Sequence, residues 1–299
     1  MPDTLAPALV IGVETGGTKV VCASAASDDP GTILERVSFP TTDPEQTLAR
    51  IVEFADRPGI AAVGVGSFGP VDVDPASPTY GYVTSTPKPG WRGTDVVGTL
   101  RRALGVPVTI TTDVNGAALG EHRWGAGVGA ADLAYVTVGT GVGAGVISGG
   151  RLLAGSGFPE IAHVPVSRHP DDVFPGRCPF HGDCLEGMAC GPAISERWGA
   201  DASSLGPERR ELARDIEAHY LAQLVAVLAY TLGTSTVILG GGVAKTPGLR
   251  EAVIAAAHRF IGPPEANGSG RPQPRILAPG LGEDAGIRGA LALGFDLLH

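Results

Sequence analysis

Several short segments of this 299-residue chain combine residue types and spacings that could do chemistry. Cys178, His181 and Cys184 stand at C-x2-H-x2-C spacing, which sets three soft or borderline donors within one loop. Tetrahedral zinc takes such mixed sets, and His163 could bring the fourth donor from the preceding segment. His169 and Cys190 compete for that fourth place, and free thiols beside exposed histidines are the alternative to any metal. Four protein ligands would leave no open position for a substrate, so a metal here reads as structural Zn2+. Glu160 and Glu186 flank the cluster. Held rigid by an ordered loop, their carboxylates would suit sugar hydroxyls; by composition alone they are surface acids.

Three glycine turns follow apolar runs: GVETGGTK (12–19), TVGTGVGAG (137–145) and ILGGGVAK (238–245). Backbone N–H groups in such turns form concavities for anions, and a triphosphate needs several of them. None has P-loop or dinucleotide-fingerprint spacing, and each taken singly could be an ordinary hairpin turn. Asp113 directly follows the apolar run Val106–Thr111 and precedes Asn115 and the helix-forming Ala117–His122. The carboxyl end of a strand is where open α/β sheets present ligand groups, so Asp113 could act as a general base. Capping the helix is the alternative role.

These residues need a scaffold, and the pattern supplies an α/β one. Ala8–Val13 and Lys19–Ala23 read as a β-hairpin, with further strands at Ile60–Gly66 and Val106–Thr111 and helices at Pro44–Asp56 and Thr94–Leu104. A second cycle begins with the strand Leu133–Val138 and its glycine turn. It continues through a long helix at Arg209–Leu232, a strand at Thr236–Leu239 and a helix at Pro247–Phe260. Asp72–Trp91 and Pro263–Pro274 have loop composition, and Glu283–Leu298 reads as a helix that returns to the first lobe. The expected division is a lobe over 1–115, completed by the helix 284–299, and a lobe over 116–283 that includes a zinc loop at 158–187.

Composition narrows the function classes. With 43% hydrophobic residues the chain is a globular protein. A net charge of -9 would repel a phosphate backbone, so no nucleic-acid partner is expected. No run approaches the ~18 apolar residues of a membrane span, and Met1–Gly17 lacks the features of a signal peptide, so no membrane partner and a cytoplasmic location are expected. There, Cys22, Cys178, Cys184 and Cys190 are thiols or metal ligands rather than a disulfide framework.

Taken in order, GVETGGTK, SFGPVDVDPASPTYGYVTSTPKPGW (67–91), DVNGAALGE (113–121), TVGTGVGAG, PEIAH (159–163), CPFHGDCLEG (178–187), GGGV and PGLGEDAGIRGA (279–290) resemble the ROK sugar kinases, in particular their fructokinase branch. The resemblance implies a two-lobed actin-like ATPase (ribonuclease H-like) fold and ATP-dependent phosphorylation of a hexose by a homodimer, with Mg2+ and structural Zn2+. It implies that Gly16, Gly17, Thr18 and Lys19 face the nucleotide phosphates, with Glu14 near Mg2+. Thr140 and Gly141 match the second phosphate turn, and Gly241 and Gly242 the adenosine turn. Asp113 is similar to the catalytic base, while Gly69, Asn115, Glu160, His163 and Glu186 match sugar-binding positions. His163, Cys178, His181 and Cys184 match the family's zinc set. Ala162 stands where the family usually has glycine, and Phe158 where fructokinases often have histidine, which implies altered sugar affinity. ROK repressors are the rival class; they carry a helix-turn-helix domain before the kinase-like part, and here the first phosphate turn already begins at Gly12. A non-catalytic sugar sensor would have no need of Asp113, Lys19 and Thr140.

Overall fold

The structure, a computed structural model, describes residues 7–154, 157–200, 204–263 and 273–298. Most of the expected surface loop at 263–274 and the final residue of the expected C-terminal helix lie outside them. The chain divides into two compact units: residues 1–128, 154–157 and 281–299, and residues 129–153 and 158–280. Among the described residues no helix is long and apolar enough to cross a membrane.

The first unit begins with β1 (Leu9–Thr15), β2 (Lys19–Ala26) and β3 (Glu35–Pro40), followed by α1 (Pro44–Ala55) and β4 (Ile60–Ser67). Two-residue strands β5 (Tyr82–Val83) and β6 (Thr94–Asp95) pair with one another, and α2 (Val96–Leu104), β7 (Val108–Thr112) and α3 (Asp113–Trp124) follow. The five long strands form one sheet in the order β3-β2-β1-β4-β7. β1 pairs antiparallel with β2 and parallel with β4, so it is central. Local chemistry sets the helix starts. The Asp43 side chain accepts from the Gln46 N–H with Pro44 in the first turn of α1, and Asp95 accepts from the Gly98 N–H at the start of α2.

The second unit repeats this plan with β8 (Leu133–Val138), β9 (Val142–Ser148) and β10 (Arg151–Leu152). A short 3-10 turn at Ile161–His163 and the helices α4 (Leu185–Ala189), α5 (Gly191–Trp198) and α6 (Pro207–Leu232) come next, then β11 (Thr236–Gly240), α7 (Leu249–Ile261) and β12 (Arg275–Leu277). The strand order is β10-β9-β8-β11-β12, with two antiparallel pairs and then two parallel ones, as in the first unit. Tyr220, Leu221 and Leu224 of α6 join Val136, Val138, Val237 and Leu239 of the sheet in a single core.

The chain ends in α8 (Ala285–Asp296), which belongs to the first unit. Alternation along β1 explains how its sheet is covered on both faces. Ile11 and Val13 pack with Ile51 of α1 and Leu100 of α2, whereas Val10 packs with Ile287, Leu291 and Phe295 of α8. Helix α3, which the sequence reading divided at residue 115, lies whole in the first unit. Arg123 near its end donates to the Ala292 carbonyl at 3.3 Å and pairs with Asp296, both on α8. Strand β3 has no counterpart in the sequence reading, because it is an edge strand that buries only Phe39 and so lacks a continuous apolar run.

Candidate functional site

In the first unit, β1 ends beside the first glycine turn. Glu14 sits opposite Val21 of β2 and Gly66 of β4. Burial is the largest influence on its carboxyl and pushes the pKa from 4.5 up to about 6; the charge of Asp113 adds to the rise, while Lys19 and then Arg36 oppose it. The turn is closed by the Gly16 N–H donating to the Lys19 carbonyl at 2.8 Å. It is braced from outside: the Thr41 hydroxyl donates to the Gly16 carbonyl at 2.7 Å and Lys88 Nζ donates to the Gly17 carbonyl at 2.6 Å. Gly17, Thr18 and Lys19 remain exposed. Lys88 was missed at the level of single residues; its signal lay in the TPKPGW segment, where a lone lysine among prolines and glycine has a fixed backbone to act from.

Asp113 is the first residue of α3, at the end of β7, and its Oδ1 accepts from the Val114 N–H at 2.9 Å. The helix cap is Thr112, whose hydroxyl oxygen accepts from the Asn115 N–H at 3.3 Å. The capping role considered for Asp113 therefore belongs to its neighbour. Asn115 is buried, with Nδ2 donating to the Thr111 hydroxyl at 3.3 Å. Gly69 is half-buried just past β4 and precedes Pro70 through a cis peptide. Beside it, the Thr15 hydroxyl donates to Ser67 Oγ at 3.0 Å and Ser67 donates to the Phe68 carbonyl at 2.9 Å.

In the second unit, the β8–β9 turn is closed by the Gly139 N–H donating to the Gly141 carbonyl at 2.8 Å, and Thr140 is exposed at its tip. Glu186 of α4 reaches this turn, where Oε2 accepts from the Val142 N–H at 3.0 Å. The carboxylate expected at the sugar thus anchors the β8–β9 turn. Gly241 follows β11 with φ +89°, and a Cβ there would lie 2.3 Å from the Val138 carbonyl oxygen. Only glycine suits that combination of backbone conformation and close approach. Gly242 opens the 3-10 turn Val243–Lys245.

His163, Cys178, His181 and Cys184 converge, with one donor atom of each within 4.8 Å of the others. Cys178 Sγ lies 3.8 Å from His163 Nδ1 and 3.7 Å from His181 Nδ1, and Cys184 Sγ lies 3.5 Å from His163 Nδ1. Bonds of about 2.3 Å to sulfur and about 2.0 Å to nitrogen, set tetrahedrally, place the donors roughly 3.5 Å apart. The residues therefore fit a zinc ion. Two short backbone ladders build the cluster. Cys178 and Gly182 exchange hydrogen bonds of 3.0 and 2.9 Å, and the Leu185 N–H donates to the Val164 carbonyl at 3.0 Å beside a Pro165–Cys184 bridge. The competing fourth donors are engaged elsewhere: His169 Nε2 meets Asp215 Oδ2 at 3.2 Å, and Cys190 Sγ faces Arg177 Nη1 at 3.9 Å. Glu160 is exposed, and its carbonyl accepts from the His163 N–H at 3.1 Å.

Comparison with known proteins matches this architecture along its length. The chain is 43% identical over 293 residues to the fructokinase of Zymomonas mobilis subsp. mobilis, covering 94% of each. The ROK hexokinase of Thermus thermophilus superposes with a TM-score of 0.80 at 29% identity, covering 97% of this chain and 99% of that one. A ROK family glucokinase from Streptomyces griseus, solved in complex with glucose and AMPPNP, gives 0.73 at 28% identity, over 96% and 99%. The fold is accordingly the actin-like ATPase fold of the ROK sugar kinases. With the match to the ROK family running from residue 10 to residue 296, the chain belongs to that family.

Proposed function

We propose that the protein transfers the γ-phosphoryl group of ATP to the C6 hydroxyl of fructose, forming fructose 6-phosphate. The observation that carries this reading is the carboxylate pair: Asp113 at the first turn of α3 and Glu14 on β1 lie near enough that the charge of one raises the pKa of the other. One acidic group is needed for a proton and another for a cation, and the pair supplies both. In an in-line displacement the sugar oxygen forms its bond to the γ-phosphorus as the bond to the β-phosphate oxygen breaks. Asp113 takes the hydroxyl proton. Mg2+, bound with ATP, supplies neutralisation of the phosphate charge, and the hard oxygen donor Glu14 suits it. The turns at Gly16–Lys19 and at Thr140–Gly141 present backbone N–H groups to the phosphates, and Gly241–Gly242 serve the adenosine.

Gly69, Asn115, Glu160, His163 and Glu186 orient the hexose. His163 can serve metal and sugar together, because Nδ1 faces the two sulfurs and the opposite ring nitrogen is directed away from them. Fructose is preferred over glucose in this reading because identity reaches 43% with fructokinases and 30% with glucokinases. Four free cysteines favour a reducing compartment, in keeping with a cytoplasmic homodimeric kinase. The test is coupled ATP turnover by the purified protein with fructose, mannose, glucose and N-acetylmannosamine. Fructose should give the highest kcat/KM, and Asp113→Ala should lower kcat by about 10²–10⁴ with the KM for ATP little changed. Equal loss of turnover and of ATP binding in the variant refutes the role of Asp113, and no turnover with any sugar refutes the activity.

A further inference from the structure

Between His163 and Cys178 the chain runs as an irregular strap, and α6 holds it down. The Ser167 N–H donates to Gln223 Oε1 at 2.7 Å, and the Ser167 carbonyl accepts from Gln223 Nε2 at 3.0 Å. One side-chain amide thus occupies both backbone groups of Ser167, as a neighbouring strand would. His219 Nε2 meets the same carbonyl at 2.9 Å. Farther along, Tyr220 donates its hydroxyl to Asp172 Oδ2 at 2.7 Å and Arg197 Nε donates to Asp172 Oδ1 at 3.0 Å. The side chains of Arg197 and Asp172 are 6% and 1% exposed, and Tyr220 is fully buried. His219, Tyr220 and Gln223 share one face of α6 by their spacing.

The strap is short between this clasp and the metal cluster. Val164 and Pro165, which pair with Leu185 and Cys184, lie between His163 and Ser167. Ser167 thus stands four residues from His163, and the paired run between them joins the clasp on α6 to both His163 and Cys184. Gln223 is buried and Ser167 is exposed, so removing the amide unties the strap from α6 and leaves His219 as the remaining contact to the Ser167 carbonyl.

We infer that Gln223 is a positioning residue of the metal loop, acting through Ser167 to hold His163 and Cys184 at ligand distance, with Tyr220 as the second point of the clasp. Its effect on sugar affinity rests on the proposed role of His163; its effect on the metal does not. The test loads the full-length protein with Zn2+ and follows release to a chromogenic chelator for the wild type, Gln223→Ala, Tyr220→Phe and Val253→Ala. The last variant loosens the same core on α7, away from the strap, and serves as a control matched for lost stability. Release should be about tenfold faster in Gln223→Ala, the scale seen when groups supporting metal ligands are removed. It should be several-fold faster in Tyr220→Phe and near the wild-type rate in Val253→Ala. Steady-state kinetics should show a raised KM for fructose in Gln223→Ala, with kcat and the KM for ATP nearly kept. Release from Gln223→Ala and Tyr220→Phe no faster than from Val253→Ala overturns the inference, as does a wild-type protein that takes up no zinc. A wild-type protein that binds zinc but does not turn over fructose would sink the activity reading alone, and the release rates would still decide the role of Gln223.

Discussion

Replacing Glu14 by glutamine should stabilise the protein while removing its activity, and the size of the stabilisation follows from where the carboxylate sits. Burial and the charge of Asp113 raise the Glu14 pKa from 4.5 to about 6. Below pH 4.5 the group is protonated folded and unfolded, and it contributes nothing. Above about 6 it is ionised in both states, and the folded state bears the full penalty of the buried charge. Between these limits the penalty grows with pH; it is about 0.8 kcal/mol at pH 5 and has levelled off at about 2 kcal/mol by pH 8. Glu14→Gln keeps the shape and discards the charge, so in urea unfolding it should gain about 2 kcal/mol over the wild type at pH 8 and less than half of that at pH 5. In an Asp113→Asn background the gain should shrink, because one cause of the raised pKa is gone. Fructose-dependent turnover of Glu14→Gln should fall by at least about a hundredfold, the scale of losing one electrostatic stabiliser of the transferring group. A gain that is the same at both pH values, or absent at pH 8, would refute the account of Glu14 as a charge held in an unfavourable place for function.

Two further outcomes follow from the packing. At Gly64 on β4 a Cβ would lie 2.0 Å from the Ala290 carbonyl oxygen and 2.5 Å from the Gly294 nitrogen of α8; Gly64→Ala should therefore destabilise the first unit by about 1–3 kcal/mol or more, read as a lower urea midpoint, and an unchanged midpoint would show that α8 can shift at no cost. Glu186→Ala removes the acceptor of the Val142 N–H and should raise the KM for ATP as well as that for the sugar, with Glu186→Gln milder because it can still accept that bond; initial-rate kinetics that show a change for the sugar alone would detach Glu186 from the phosphate turn.

Much of this protein was legible in one dimension because the signals are local. Asp43 and Asp95 cap helices from within four residues, and the hairpin of β1 and β2 is written in an apolar run broken by two glycines. The C-x2-H-x2-C loop likewise encodes its own turn, since Cys178 and Gly182 hydrogen-bond across it. Edge strand β3 escaped notice, since the sheet order that makes Glu35–Pro40 a strand lies outside the segment. The clasp of Gln223 on Ser167 escaped for the same reason: the partners are 56 residues apart, and a glutamine in a long helix carries no mark of its use.

The sequence by itself determined the family, the glycine turns, the C-x2-H-x2-C loop and the placing of Asp113 between a strand and a helix. Each depends on residue identity and short spacing, which survive without knowledge of what packs against them. Only the tertiary structure decided that Thr112 rather than Asp113 caps α3, that His163 rather than His169 or Cys190 completes the cluster, and that Glu186 holds the β8–β9 turn. It likewise decided that Glu14 is held largely out of water beside a second acid. Desolvation and hydrogen-bond partnership are properties of a surrounding volume filled by distant segments, so they come into being only when the chain has folded.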